Sequence, residues 1–94
     1  MREVDLVRQA RKYLENEGAC VFKYFGTACG VVGFSDLFGV YKGRAFFIEI
    51  KIPPNEPTVH QALFLARVRE KGAISLWCDS MEDLKIKWQK FSTG

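Results

Sequence analysis

The chain reads as an α/β fold, a sheet flanked by helices. Three observations predict it. Apolar residues recur at helical spacing in three stretches, two near the ends and one from Val59. Two apolar runs flank Lys42-Gly43, which reads as a β-hairpin. The hairpin strands are apolar on both faces (Leu37 and Phe38, then Phe46, Phe47, Ile48 and Ile50), as expected of strands covered from both sides.

The elements follow in order. Residues 2–17 read as a helix, with Leu6, Ala10, Tyr13, Leu14 and Glu17 at helical spacing and Arg8, Arg11, Lys12 and Glu15 outside. Gly18 is well placed as its C′ residue. Val21 to Phe25 reads as a strand. Gly26 to Gly33 is a glycine-spaced loop with no Walker lysine and no helix after it, so a P-loop is excluded. After the hairpin, Ile52-Pro53-Pro54-Asn55-Glu56-Pro57 is a loop, because its prolines rule out a regular element. A second helix runs from about Val59 to Lys71. Thr58 is its expected N-cap, Gln61 stands at capping-box spacing, and Gly72 ends it. Ala73 to Cys78 is a short buried strand. Ser80 caps a third helix with Met81, Leu84, Trp88 and Phe91 on one stripe. The order is α-β-β-β-α-β-α, without a repeat, a low-complexity tract or a linker.

Ninety-four residues make one domain, 1–94. So small a domain buries a limited fraction of its surface and gains from dimerisation. The second helix is apolar over a wide arc (Val59, Ala62, Leu63, Phe64, Leu65, Ala66, Val68), more than a surface helix needs, and a second subunit is expected to cover part of it. No apolar run spans a bilayer, and Met1-Arg2-Glu3-Val4-Asp5 lacks a secretory h-region, so a soluble, cytoplasmic protein without membrane contact is expected. Three cysteines without CxxC spacing argue against a disulfide framework or a zinc site. Cys20 and Cys78 are expected to be buried, and Cys29 exposed. The net charge of +3 points only weakly to nucleic acid, more so if Asp36, Glu49 and Glu3 gather at one metal.

The hairpin holds the candidate site. With a two-residue turn, Tyr41 pairs with Arg44, and counting outward places Asp36 opposite Glu49. Lys51 shares their face. Opposed Cβ atoms lie about 4.5–5.5 Å apart, and like charges there are destabilising. A bound divalent cation is the simplest reason for such a pair, and oxygen ligands beside a lysine suit Mg²⁺ or Mn²⁺. A three-residue turn with a glycine bulge is the alternative, because lysine is a poor residue for φ > 0; it would re-pair Asp36 and shift side chains to the other face.

Glu3 in the first helix, Gly33-Phe34-Ser35-Asp36, the hairpin, Glu49-Ile50-Lys51 and Gln61 together resemble the PD-(D/E)XK nuclease superfamily. More narrowly, the chain is similar to a stand-alone, virus-type VRR-NUC domain, from Glu3 to the strand ending at Cys78. Ser35 stands where many superfamily members have proline. The resemblance implies a restriction-endonuclease-like core, α-β-β-β-α-β, with a mixed sheet flanked by helices. It also implies a Mg²⁺-dependent endodeoxyribonuclease, with Mn²⁺ substituting, in DNA repair or recombination. The stand-alone form implies a homodimer that resolves four-way (Holliday) junctions, and a phage or prophage origin in a bacterial host.

By this resemblance Asp36, Glu49 and the main-chain carbonyl of Ile50 hold the metal, and Lys51 orients the attacking water and stabilises the phosphorane. A general-base Lys51 would need the neutral amine, which neighbouring carboxylates disfavour. Glu3 completes the site or supports a second metal; on position alone it is a first-turn acid favoured by the helix dipole. Gln61 binds the water or a phosphate oxygen, or else closes the capping box. His60 reads as a solvent-facing helix residue. Arg8, Lys12, Lys23, Lys42 and Arg44 are the groups for a salt-dependent grip on DNA phosphates, Lys23 being nearest the site. No recognition helix aims at base edges, which favours shape over sequence. The competing functions are a nuclease for flaps or other branched DNA within a larger repair assembly, a catalytically silent DNA-binding module, and a structural domain without nucleic acid.

Overall fold

The computed structural model describes residues 1–25 and 33–93. The glycine-spaced stretch up to Val32, with Cys29, lies outside them. The elements are α1 (Glu3–Asn16), β1 (Cys20–Lys23), β2 (Leu37–Tyr41), β3 (Arg44–Ile50), α2 (Val59–Glu70), β4 (Ile74–Cys78) and α3 (Met81–Ser92). They form an α/β fold around a four-stranded mixed sheet, in the expected order. The strands lie side by side as β1-β2-β3-β4, antiparallel except for the parallel pair β3 and β4.

The hairpin turn is the two-residue form. Tyr41 pairs with Arg44, and Lys42 (φ 47°) and Gly43 (φ 80°) both occupy the left-handed region that a type I′ turn requires. The glycine-bulge alternative is thereby excluded. Lys42 accepts the strained conformation, with its ammonium 5.3 Å from the centre of the Tyr41 ring.

The sheet's two faces differ. Phe46, Ile48 and Ile50 join Leu6, Leu14, Leu84 and Trp88 in a core beneath α1 and α3. Trp88 sets its ring edge-on to Phe46 at 5.6 Å and to Tyr41 at 5.0 Å. On the other face Phe47 meets Phe64 of α2 edge-on at 5.4 Å. Helix α2 is tied to β4 by the buried Ser75, whose hydroxyl donates to the Leu65 carbonyl at 2.7 Å, and by Arg69, which donates to the Ser75 carbonyl.

Coverage of that second face is incomplete, unlike the expectation for strands apolar on both sides. A helix about 10 Å wide covers about two strands spaced about 4.8 Å apart. Since α2 lies over β3 and β4, Phe22 and Val40 remain about half exposed on β1 and β2. Cys20, expected to be buried, is exposed for the same reason. It alternates with Val21, which faces the core, on an edge strand whose other face no helix reaches. Cys78 is buried as expected, and burial pushes its thiol up to about 12.

Helix ends match the sequence. Ser80 caps α3 by accepting from the Asp83 N–H at 3.1 Å, and Gly72 ends α2, with its N–H donating to Arg69 and that of Ala73 to Val68. Gly33 differs from a turn glycine. It shares φ +80° with Gly43, but a Cβ added there would meet the His60 carbonyl oxygen at 2.5 Å, whereas Gly43 faces open space. The first turn of α2 therefore rests directly on the backbone that leads into Asp36. Alanine at Gly43 is expected to cost about 1–2 kcal/mol through φ alone. Alanine at Gly33 should cost about 1–3 kcal/mol more, from the forced backbone shift. Urea unfolding of both variants checks the difference.

Candidate active site

Asp36 stands one residue before β2, and Glu49 is the last but one of β3. The ladder ends with Leu37 opposite Ile48, so its next step sets Asp36 against Glu49, as the register count predicts. Asp36 is held from two sides. Its Oδ2 accepts from the Ile50 N–H at 2.8 Å, and its main-chain carbonyl accepts from the Tyr24 N–H at 2.9 Å. Ser35, fully buried beside it, donates its hydroxyl to the Leu37 carbonyl at 2.9 Å. These bonds fix the carboxylate at the strand end and leave little freedom in the Gly33-Phe34-Ser35-Asp36 segment.

Glu49 is only 2% exposed, and its Oε2 has no hydrogen-bond partner among the described residues. Burial pushes its carboxyl up to about 9. A hydrogen bond that the protonated Glu49 donates to Asp36 and that residue's like charge add to the push, Lys51 opposes it, and Glu3 adds a little more. Burial beside a second carboxylate thus favours the protonated form of Glu49. A buried, orphaned carboxylate oxygen next to a second carboxylate is what a divalent cation satisfies. Among the described residues no three His, Cys, Asp or Glu side chains gather into a cage. Mg²⁺ does not need one: it is commonly held by one or two carboxylates, with waters and substrate phosphate completing the shell.

The remaining predicted residues divide. Lys51 is half-buried, pinned through its N–H to the Cys78 carbonyl at 3.0 Å, and close enough to act on Glu49. Glu3 is exposed in the first turn of α1 and is felt at Glu49 only as a weak charge. Gln61 closes the capping box: its Oε1 accepts from the Thr58 N–H at 2.9 Å, and its own N–H donates to the Thr58 hydroxyl at 3.2 Å. His60 is exposed, as the sequence suggested.

Among the basic residues, Arg44 has structural work. Its guanidinium donates to the Gly72 carbonyl at 3.2 and 3.3 Å and to the Phe91 carbonyl at 3.3 Å, tying the ends of α2 and α3 to the hairpin. Lys42 sits at the hairpin tip, about 20 Å along β2 from Asp36. Arg8 is exposed with a 3.7 Å pair to Asp5, and Lys12 is exposed one turn further on. Lys23 ends β1.

Sequence reasoning missed the ring of aromatics behind the site. Phe34 stacks on Tyr24 at 4.5 Å and meets Phe38, Phe47 and Phe64 at 5.1, 5.9 and 4.9 Å. This cluster joins the residue after β1 to β2, β3 and α2 and fixes the segment carrying Asp36. Its signal was available in the density of aromatics between Phe22 and Phe47.

No family model matches the sequence, and no curated protein matches it either. Among solved structures, one described as a VRR_NUC domain superposes with a TM-score of 0.76 at 26% identity, covering 94% of this chain and 94% of its own. That likeness supports a VRR-NUC domain and, with it, a nuclease domain of the PD-(D/E)XK type.

The raised Glu49 carboxyl has a sign that can be checked. Without cation, the folded chain keeps on Glu49 a proton that the unfolded chain releases. Stability should therefore fall as pH rises from the ordinary carboxylate range to about 9. In chelator at pH 8, Glu49→Gln should melt several degrees higher than the parent and lose most of this slope; about 1 kcal/mol corresponds to about 4–8 °C in a domain of this size. Mg²⁺ should raise the melting temperature of the parent and not of the variant. Calorimetric scans across pH, with and without Mg²⁺, test both.

Proposed function

From a chain with the VRR-NUC fold, we propose a homodimeric, Mg²⁺-dependent endonuclease that cuts branched DNA, with four-way junctions as its substrate. The buried Asp36–Glu49 pair with its orphaned Oε2 carries the reading, because such a pair is destabilising unless a cation completes it.

Asp36, Glu49 and the Ile50 carbonyl would hold the cation. When bound, it supplies positive charge against the phosphate and makes a water more acidic. Asp36 is oriented for this by the Ile50 N–H, so its second oxygen is aimed without further loss of freedom. Glu49 would hold a cation as the carboxylate, so its raised carboxyl would give up its proton for that role. Lys51, as ammonium beside two carboxylates, orients the attacking water and stabilises charge on the phosphorane. Glu3, in the first turn of α1 and felt at Glu49 as a charge, would support ordered water or a second cation. Gln61 acts through its amide Nε2, since its Oε1 serves the cap. Arg8, Lys12 and Lys23 grip phosphates, with Lys42 reaching DNA further out and Arg44 acting through the structure it ties together.

A junction has two-fold symmetry, so symmetric cutting needs two sites related by a two-fold axis. Helix α2 supplies the face. Leu65 is buried within the protomer and serves its own core, but Val59 and Leu63 are more than half exposed. The same helix lines a groove of about 690 Å³ with Phe64 and Val68, where Ala45 and Phe47 join them together with the charged Arg67 and Glu70. A small domain that exposes Val59 and Leu63 on one helix gains by covering them with a second copy.

Cleavage of a labelled four-way junction in Mg²⁺, with duplex, flap and single-strand controls, tests the reading. Paired symmetric nicks are expected, lost with Glu49→Gln and without metal; Leu63→Glu should give monomers whose nicks are no longer paired. Cutting of flaps alone points instead to a flap nuclease, and a folded chain that cuts nothing in Mg²⁺ or Mn²⁺ overturns the mechanism. Gln61→Glu separates the two uses of that side chain. Glutamate preserves the capping box and therefore stability, while loss of the amide donor is expected to slow cleavage by about 100-fold. Urea unfolding and single-turnover kinetics on the same preparation check the pair.

A further inference from the structure

At the site end of the sheet, β1 and the residues after it carry aromatic and basic side chains together: Phe22, Lys23, Tyr24 and Phe25. Tyr24 is fixed by its N–H bond to the Asp36 carbonyl and by its stack on Phe34. Phe25, the next residue, is 84% exposed, and the Lys23 ammonium lies 5.5 Å from its ring centre.

A single exposed apolar residue is ordinary on a protein surface. What sets Phe25 apart is its position. Opposed Cα atoms in an antiparallel pair lie about 4.5–5.5 Å apart, and successive ones about 3.8 Å, so the Phe25 Cα is within about 10 Å of that of Asp36. At about 3.4 Å per nucleotide along one strand, that is about three nucleotides from a phosphate bound at the carboxylate pair. The ring is held by a strand end that is itself hydrogen-bonded to a site residue, and a cation sits against it.

Resting on the nuclease reading above, we propose that Phe25 is a stacking platform for an unpaired or unstacked base of the DNA beside the cut, with Lys23 on the adjoining phosphate. Bases inside a continuous duplex are stacked on each other and have no free face to offer. Bases at a branch point gain one when the junction is held open, so this ring favours branched over fully paired DNA. Aromatic stacking tolerates any base, because every base has a π-face. The lysine adds a charge contact that is equally blind to sequence. Together they select for opened DNA structure without any contact to base edges.

The test uses the whole chain in a Glu49→Gln background with Mg²⁺, so that binding is read without cutting. Fluorescence anisotropy is measured with a labelled four-way junction and with a duplex of the same arm sequence, over a NaCl series. Phe25→Ala is expected to weaken junction binding about 10-fold and duplex binding less than about two-fold, with Phe25→Trp retaining the junction affinity. Lys23→Ala should weaken both and lower the salt slope by about one phosphate contact. Phe25 is exposed, so its truncation removes no core packing. Equal losses on both substrates, or no loss on either, overturn the proposal. If the parent chain cuts junctions but Phe25→Ala keeps the junction-to-duplex binding ratio, the platform fails and the nuclease reading stands. If the parent cuts nothing yet the Phe25→Ala loss is confined to the junction, the platform stands and the nuclease reading falls.

Discussion

Two carboxyl groups face each other at the mouth of the β2–β3 hairpin, and one of them is almost wholly buried. This contact is the constraint around which the molecule is organised. Asp36 cannot drift away, because the Ile50 and Tyr24 N–H groups hold its side chain and its carbonyl. Glu49 cannot turn to solvent, because it sits in β3 between the fully buried Ile48 and Ile50, paired with Trp77 of β4, and is itself 2% exposed. The cost of holding these groups together out of water shows in the Glu49 carboxyl, which burial and the neighbouring Asp36 push up to about 9. A fold that only needed stability would place an apolar residue at position 49.

Much of the rest serves to hold that geometry. The type I′ turn at Lys42-Gly43 sets the register that puts Asp36 opposite Glu49; a slip of one residue would turn the carboxylates to opposite faces. The aromatic cluster centred on Phe34 ties the segment before Asp36 to the residue after β1, to β3 and to α2. The lack of a side chain at Gly33 lets α2 close down on the same segment and brings the first turn with Gln61 alongside. On the far side, Arg44 fastens the hairpin to the ends of α2 and α3, which keeps the long lever from the turn to the site rigid.

The local signals in the sequence were those with a short-range physical cause. Capping at Thr58 and Ser80, the end of α2 at Gly72, the stripe on α3 and the pairing of Tyr41 with Arg44 each follow from residues within a few positions of one another, and each is present. The facing carboxylates were legible because a hairpin turns a count along the chain into a position in space. What stayed hidden depends on distant partners. Cys20 and Leu65 both lie in apolar runs, but one meets solvent and the other the core, since α2 covers β3 and β4 and leaves β1 bare. Arg44 reads as a phosphate-binding cation until the carbonyls of Gly72 and Phe91 are brought to it by the tertiary fold. The gathering of Tyr24, Phe34 and Phe64 likewise needed three separate elements to meet.

Calorimetric titration of the parent chain with Mn²⁺ near pH 7, repeated in buffers of different ionisation enthalpy, tests the central claim most directly. If a cation displaces the proton held on the buried Glu49, binding should release close to one proton per ion, and Glu49→Gln should bind far more weakly and release none. Binding without proton release, or undiminished binding in the variant, would contradict the assignment of this pair as the metal site.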